Sequence, residues 1–386
     1  LQPHAPDEEV ETFPRTAMFP IEISRWQRYL KRHIKEIFHK LMIMQEGIIS
    51  IDGSYGEGGG QILRTALLLS LATGKPFEIT NIRSKRPKPG LLNQHLAAVR
   101  AFRKVTSSTV IGDELGSTKL RFFPGKVTAD KVAIDVGTAG SVTLILSSIL
   151  PALSIIGAEM TIDIKGGTDT KWSPAYDYFS NVIIPLYQKL GINVQSRLLR
   201  RGFYPVGGGE VVATSQGCKK VLSLKSKEGT AKQARIRSIC SNLPLEVAGR
   251  QTESARKLLQ SHEIEVVDIE TKQEPAASPG TAITIWHVDI PAGIFVGGDA
   301  VGERGIAAEE IGRRAATSFT NSSRAPLDAH IADVAIPLLS LAEGDSEIAF
   351  PEVTGHIRSN IYTASLFTKR RFELSKPAGL DMLRIS

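Results

Sequence analysis

The sequence predicts an α/β (α+β) protein in which three repeated sheet-plus-two-helix units form one body, with a smaller βαβββα domain inserted. Two observations predict it. The order strand, glycine turn, apolar helix, strand, loop, helix recurs along the chain, and Ser-Leu-Ala-Thr-Gly at 70–74 returns as Ser-Leu-Ala-Glu-Gly at 340–344. Between the second and third copies lies a stretch whose strand and helix periods fit no repeat.

The first unit opens with a strand over 47–53 and a glycine-rich turn, then an apolar helix over 61–72 that Gly74 closes. A strand over 77–82, a loop over 83–89 and a helix over 90–104 follow. The second unit repeats this as strand 132–136, turn 137–140, helix 141–156 with Gly157, strand 160–164, loop 166–174 and helix 175–190. The third, shorter, reads as helix 329–342 with Gly344, strand 347–350, loop 351–355, helix 356–368 and strand 371–374. Strands of period two beside helices of period 3.6 give small sheets with helices on one face.

The stretch between copies reads as strand 234–240, helix 245–259, strands 264–269, 283–288 and 294–296, and helix 307–317. At the other end, Tyr29, Leu30, Ile34, Ile37, Phe38 and Leu41 keep helical spacing, and the polar face carries six basic residues against Glu36. A docked surface helix, an RNA-contacting arm and a membrane-surface helix all fit that pattern. The patterns divide the chain into an extension over 1–44, a body over 45–228 and 325–386, and an inserted domain over 229–324.

At 386 residues, 42% of them hydrophobic and 23% charged, the chain is long enough for more than one structural unit with a full core. A net charge of +7 favours polyanionic partners, nucleic acid foremost. No apolar run reaches the roughly 20 residues that span a bilayer, so no membrane partner is expected. The start, Leu1 to Val10, is acidic and proline-bearing, unlike a signal peptide. Cys218 and Cys240 match no zinc or redox spacing and read as reduced thiols of a cytoplasmic protein.

Chemistry concentrates in the loops. Asp52-Gly-Ser-Tyr-Gly-Glu-Gly-Gly-Gly-Gln61 follows a strand and opens a helix, where exposed backbone N–H groups and the helix dipole suit an anion. It lacks the Lys-Ser or Lys-Thr of a Walker A loop and the third glycine of a dinucleotide fingerprint, and a tight structural turn explains the glycines equally well. Glu57 adds information, because a carboxylate in a phosphate cradle calls for a bridging divalent cation. Arg83-Ser-Lys-Arg-Pro-Lys-Pro-Gly90 is a stiffened basic loop that suits bidentate phosphate recognition or a solvated face.

Gly56-Glu-Gly-Gly-Gly-Gln-Ile-Leu-Arg64, Lys88-Pro-Gly-Leu-Leu-Asn-Gln-His95 and Arg201-Gly-Phe-Tyr-Pro-Val-Gly-Gly-Gly-Glu210 resemble the signatures of the RNA 3′-terminal phosphate cyclase family. Gly166-Gly-Thr-Asp-Thr-Lys-Trp-Ser-Pro174 is similar to its archaeal members. The resemblance covers 47–374. It implies three repeats like the C-terminal domain of translation initiation factor three, a small inserted domain, and an RNA partner with a 3′-terminal phosphate. It implies that ATP and Mg²⁺ (or Mn²⁺) serve the closure of that phosphate into a 2′,3′-cyclic phosphodiester, through histidine–AMP and RNA(3′)pp(5′)A intermediates.

By the same resemblance, His356 of His356-Ile-Arg-Ser-Asn360 is the catalytic nucleophile, with Ser359 where threonine is usual. Glu57 is the metal ligand, and Arg64, Arg83, Arg86, Gln94 and His95 hold the RNA phosphate. ATP falls to Pro174, Tyr178, Ser147 and the run His330, Ile331, Ala332, Asp333, Val334. His330 stands where tyrosine is frequent, and Ser147 and Val334 stand where glutamines are usual, which weakens the polar side of the nucleotide pocket. Two rival readings remain: a catalytically weakened cyclase-like RNA-binding factor in ribosomal RNA processing, and a transferase acting on a small phosphorylated substrate.

Overall fold

The structure, a computed structural model, describes residues 47–386, so the basic helix expected in the extension lies outside the described residues. Residues 49–386 form one compact unit. Its first repeat is β1 (Ile49–Asp52), α1 (Gln61–Thr73), β2 (Phe77–Thr80), α2 (Asn93–Val105), β3 (Thr109–Ile111) and β4 (Leu120–Phe123). The second is β5 (Lys131–Asp135), α3 (Val142–Ile155), β6 (Met160–Gly166), α4 (Tyr176–Tyr178), a π-helical turn (Phe179–Ile183), α5 (Ile184–Lys189), β7 (Asn193–Arg200) and β8 (Gly209–Gln216).

The third repeat begins with β9 (Lys225–Ser226) and resumes as α8 (Ala329–Leu339), β14 (Ser346–Phe350), α9 (Gly355–Phe367), β15 (Phe372–Ser375) and β16 (Asp381–Ile385). Between these parts lie β10 (Gln233–Ser241), α6 (Leu245–Ser261), β11 (Glu265–Gln273), β12 (Gly280–Asp289), β13 (Ile294–Val301) and α7 (Ala308–Ser322), the expected βαβββα order.

The repeat sheets run β1-β2-β4-β3, β5-β6-β8-β7 and β9-β14-β16-β15. In each, the first two strands are parallel and the closing strands are antiparallel. Two expectations need correction. The third copy is complete rather than shorter, because β9 pairs in parallel with β14 at Lys225↔Glu347 and Ser226↔Ile348. The insertion therefore interrupts that copy after its first strand instead of separating two copies. A two-residue strand has no period to read. The closing hairpins and β16 also went unassigned, although β16 alternates buried and exposed along Asp381–Ile385.

Helices α1, α3, α8 and α9 bury their apolar faces in one cluster that includes Leu63, Leu67, Ile145, Ile149, Ile336 and Ile357. Each such side chain contributes about 1.5–3 kcal/mol on burial. The insertion has a cluster of its own around Ile236, Leu259, Ile283 and Phe319. Among the described residues, no helix is long and apolar enough to cross a membrane.

A buried ion network ties the insertion to the second repeat. Arg201 is 1% exposed and donates to Glu274 Oε2 at 2.7 Å, to Asp177 Oδ2 at 2.7 Å and to both Asp169 oxygens at 3.2 Å. Burial alone lowers a guanidinium pKa, and here the three carboxylates more than reverse that, so Arg201 stays charged. Arg237 on β10 shares Glu274 and Asp177. Replacing Arg201 with methionine strands the buried carboxylates, so urea unfolding should show a loss of about 3–5 kcal/mol. An unchanged midpoint would mean that Arg237 alone neutralises them.

Candidate active site

Helix α9 presents His356 at its second position. The helix starts there because Thr354 Oγ1 accepts from the Ile357 N–H at 3.1 Å, which leaves the first turn open toward the glycine loop of repeat one. That loop approaches closely. A Cβ on Gly355 would lie 2.4 Å from Glu57 Oε1, so any larger residue there would displace this carboxylate.

His356 stands between two acids. Its Nε2 is 3.4 Å from Glu57 Oε2, and its Nδ1 is 3.7 Å from Asp333 Oδ2, an ion-pair rather than a hydrogen-bond distance. Asp333 is 2% exposed and held firmly. Asn360 Nδ2 donates to its Oδ1 at 2.6 Å and to its backbone carbonyl at 2.7 Å. Asn360 Oδ1 in turn accepts from Thr65 Oγ1 at 2.6 Å and from Gln61 Nε2 at 3.4 Å. Helices α1, α8 and α9 thus aim one carboxylate at one imidazole. Asp333 first, then Glu57, hold the His356 pKa above its ordinary 6.5 despite partial burial.

Cationic and donor groups face this pair. Arg86 donates to Glu57 Oε2 at 3.2 Å. Arg64 is half-buried, donates to Gln61 Oε1 at 2.8 Å, and has a pKa pushed down to about 10 by burial, so it remains charged at neutral pH. His95 plays a different part. Its Nδ1 accepts from the Leu92 N–H at 3.0 Å, which places the proton on Nε2. Burial, then the charges of Arg64 and Arg83, push its pKa down to about 3. The ring is therefore a neutral donor packed on the backbone of Gly60, where a Cβ would lie 2.2 Å from Nε2.

Comparison with known proteins decides the family. A family model described as RNA 3′-terminal phosphate cyclase matches residues 55–374. An RNA 3′-terminal phosphate cyclase of Pyrobaculum aerophilum is 40% identical over 335 residues, which cover 86% of this chain and 96% of that protein. One of Thermococcus kodakarensis is 40% identical over 338 residues, 86% of this chain and 96% of that protein. One of Archaeoglobus fulgidus is 41% identical over 333 residues, 85% and 99% of the two chains. The chain belongs to the RNA 3′-terminal phosphate cyclase family. It is an enzyme of that family, and the relatives named here are archaeal.

Of the residues expected to serve the cyclase site, the structure gathers Glu57, Arg64, Arg86, His95, Asp333 and His356. Others have different employment. Gln94 was expected on phosphate, but its amide is spent on backbone: Oε1 accepts from the Ser141 N–H at 2.7 Å and Nε2 donates to the Ser141 carbonyl at 3.1 Å. Arg83 uses one guanidinium nitrogen to brace its own loop, at 2.5 Å from the Lys88 carbonyl and 2.9 Å from that of Gly90. Its remaining nitrogens have no hydrogen-bond partner among the described residues.

The residues expected on the nucleotide differ in what their side chains leave available. Ile331 and Ala332 are fully buried core residues, and Val334 packs against the same core, so these three side chains offer a ligand little. Tyr178 is buried, with its hydroxyl donating to Asp328 at 2.7 and 2.8 Å, and its ring meets His330 edge-on at 5.4 Å. That edge contact braces the His330 ring. Asp328 also caps α8, accepting from the Ile331 N–H at 2.8 Å. Ser147 donates to the Thr143 carbonyl of its own helix, and Pro174 is buried, with its carbonyl accepting from Thr143. His330 Nε2 is buried without a hydrogen-bond partner among the described residues, which suits a group that a ligand completes.

Asn360 closes the His356 motif, but sequence reasoning gave it no role and did not single out Thr65. Asn360 lies one turn beyond His356 on the same face, and that i, i+4 spacing was the available signal.

Proposed function

We propose that the protein closes an RNA 3′-terminal phosphate into a 2′,3′-cyclic phosphodiester at the expense of ATP, through His356–AMP and RNA(3′)pp(5′)A. The observation that carries this reading is the Asp333–His356–Glu57 array beside Arg64 and Arg86. Asp333, facing Nδ1, favours the tautomer that carries its proton there and leaves the Nε2 lone pair for attack on the α-phosphorus of ATP. The Nε2–P bond forms as the bond to pyrophosphate breaks, and Asp333 stabilises the charge that develops on the ring.

An oxygen of the RNA 3′-phosphate, held by Arg64, Arg83, Arg86 and the His95 Nε2–H, then displaces the imidazole and takes the adenylate. The neighbouring 2′-hydroxyl attacks the 3′-phosphorus, and AMP leaves. Glu57 fits a Mg²⁺ or Mn²⁺ ion held mainly by the triphosphate, because such ions take one or two carboxylates and complete their shell with phosphates and water. Glu57 Oε1 has no hydrogen-bond partner among the described residues, although no group of three or more acidic, histidine or cysteine side chains stands ready to cage an ion there. Bound so, the ion would neutralise phosphate charge. Cys218 and Cys240 are free thiols, in keeping with a reducing, cytoplasmic setting.

Incubation with ATP labelled at the α-phosphate tests the reading. The protein should carry an acid-labile, alkali-stable label that 3′-phosphorylated RNA discharges as cyclic-ended RNA and AMP. Absence of label would favour the non-catalytic RNA-binding alternative.

A further inference from the structure

A cleft of about 290 Å³ lies between α2 and the β5 edge, outside the cluster around His356. Its α2 wall is a stripe of Asn93, Ala97, Arg100 and Lys104, spaced as one helix face, and its other wall includes Asp135 and Thr138. At 1.5 Å of rise per residue the stripe is roughly 16 Å long, room for a few nucleotides.

Three features separate this wall from an ordinary solvated face. Arg100 and Lys104 have no carboxylate partner among the described residues, whereas the next basic side chain, Arg103, pairs with Asp113 at 2.8 Å. Lys104 also complements the C-terminal dipole of α2, but Arg100, mid-helix, gains nothing from it. Asp135 spends Oδ1 on the Gly137 N–H at 2.8 Å, and one carboxylate against two cations leaves the cleft basic. Finally, one end of the cleft lies at the N-terminus of α2, whose opposite face carries His95. Asn93 and Thr138 sit there, the Gln94 amide fixes α2 to Ser141 beside the 137–140 turn, and His95 faces Gly60 one residue further on.

We infer that this cleft is the track for the RNA strand 5′ of its terminal phosphate, with Arg100 and Lys104 on backbone phosphates and Asn93 and Thr138 at the end nearest the reacting group. The inference rests on the cyclase reading and adds where the body of the substrate lies. Backbone contacts of this kind carry no sequence information, so the track accepts any sequence.

Fluorescence anisotropy with 3′-phosphorylated oligonucleotides, from a dinucleotide to an octanucleotide, tests it at several salt concentrations. Wild-type affinity should rise with length and then level off. Arg100→Glu with Lys104→Glu should flatten that rise, weaken octanucleotide binding at least tenfold, and reduce the salt slope by about 0.7 per lost phosphate contact, about 1.4 in all. Arg100→Gln with Lys104→Gln should fall between. Labelling from ATP without RNA is the control for folding and should match wild type. Wild-type length and salt dependence in the charge-reversed protein overturns the inference, as does a wild type that binds dinucleotide and octanucleotide alike. A wild type that takes no label from ATP would instead refute the cyclase reading, whatever the length series gave.

Discussion

Replacing His356 with alanine should remove both the covalent label from ATP and cyclisation, with the rate of label formation falling about 10⁴-fold or more. Among the described residues, no neighbouring side chain is built to take over. His95 has Nδ1 engaged with the Leu92 N–H and carries its proton on Nε2, so it has no lone pair to offer. Glu57 would yield an acyl phosphate, a far more labile bond than a phosphoramidate. Among the described residues near the site, His330 has a ring nitrogen without a partner, but Nε2 is buried and the ring is wedged against Tyr178. Quantifying acid-labile label on the alanine variant measures this directly. Label persisting at wild-type level would move the nucleophile to His330, and the double variant would then have to be silent.

The parts legible in the sequence were those set by local pattern. Apolar helices at regular spacing and glycine stops gave the repeats, and the order βαβββα within the insertion was readable because each of its strands is long enough to alternate. The two residues of β9 carry no such pattern, and only their pairing with β14 reveals them as the first strand of the third copy. Separation in sequence hid the site in the same way. Glu57 and His356 lie some 300 residues apart, and nothing local to either says that a loop of repeat one seats on a helix of repeat three. Their roles were implied only by resemblance to a family. Resemblance also assigned Gln94 and Tyr178 to ligands, and both turn out to have their polar groups occupied by the protein itself. A side chain's type and position do not reveal whether its hydrogen bonds are already spent.

Asp333 shows the same limit, and its role makes the second large prediction. Asp333→Asn should lower the rate of label formation about 10²- to 10⁴-fold while leaving the apparent affinity for ATP near wild type. The argument follows from one fixed amide. Thr65 donates to Asn360 Oδ1, so Asn360 must point its Nδ2 at residue 333. An asparagine there keeps its own oxygen toward Asn360 and turns its NH₂ toward His356. The imidazole Nδ1 then becomes an acceptor, its proton moves to Nε2, and the attacking lone pair is lost although every atom stays in place. The pH profile supplies an independent readout. In the wild type, kcat/KM for labelling should rise with pH through a pKa above 6.5, because the neutral ring attacks and Asp333, then Glu57, favours the protonated form. Without the Asp333 carboxylate that limb should move to lower pH, even as the plateau falls. If Asp333 were only a wall of the nucleotide pocket, the variant would show a raised KM for ATP with unchanged kcat and an unmoved pH limb, and the orienting role would be lost.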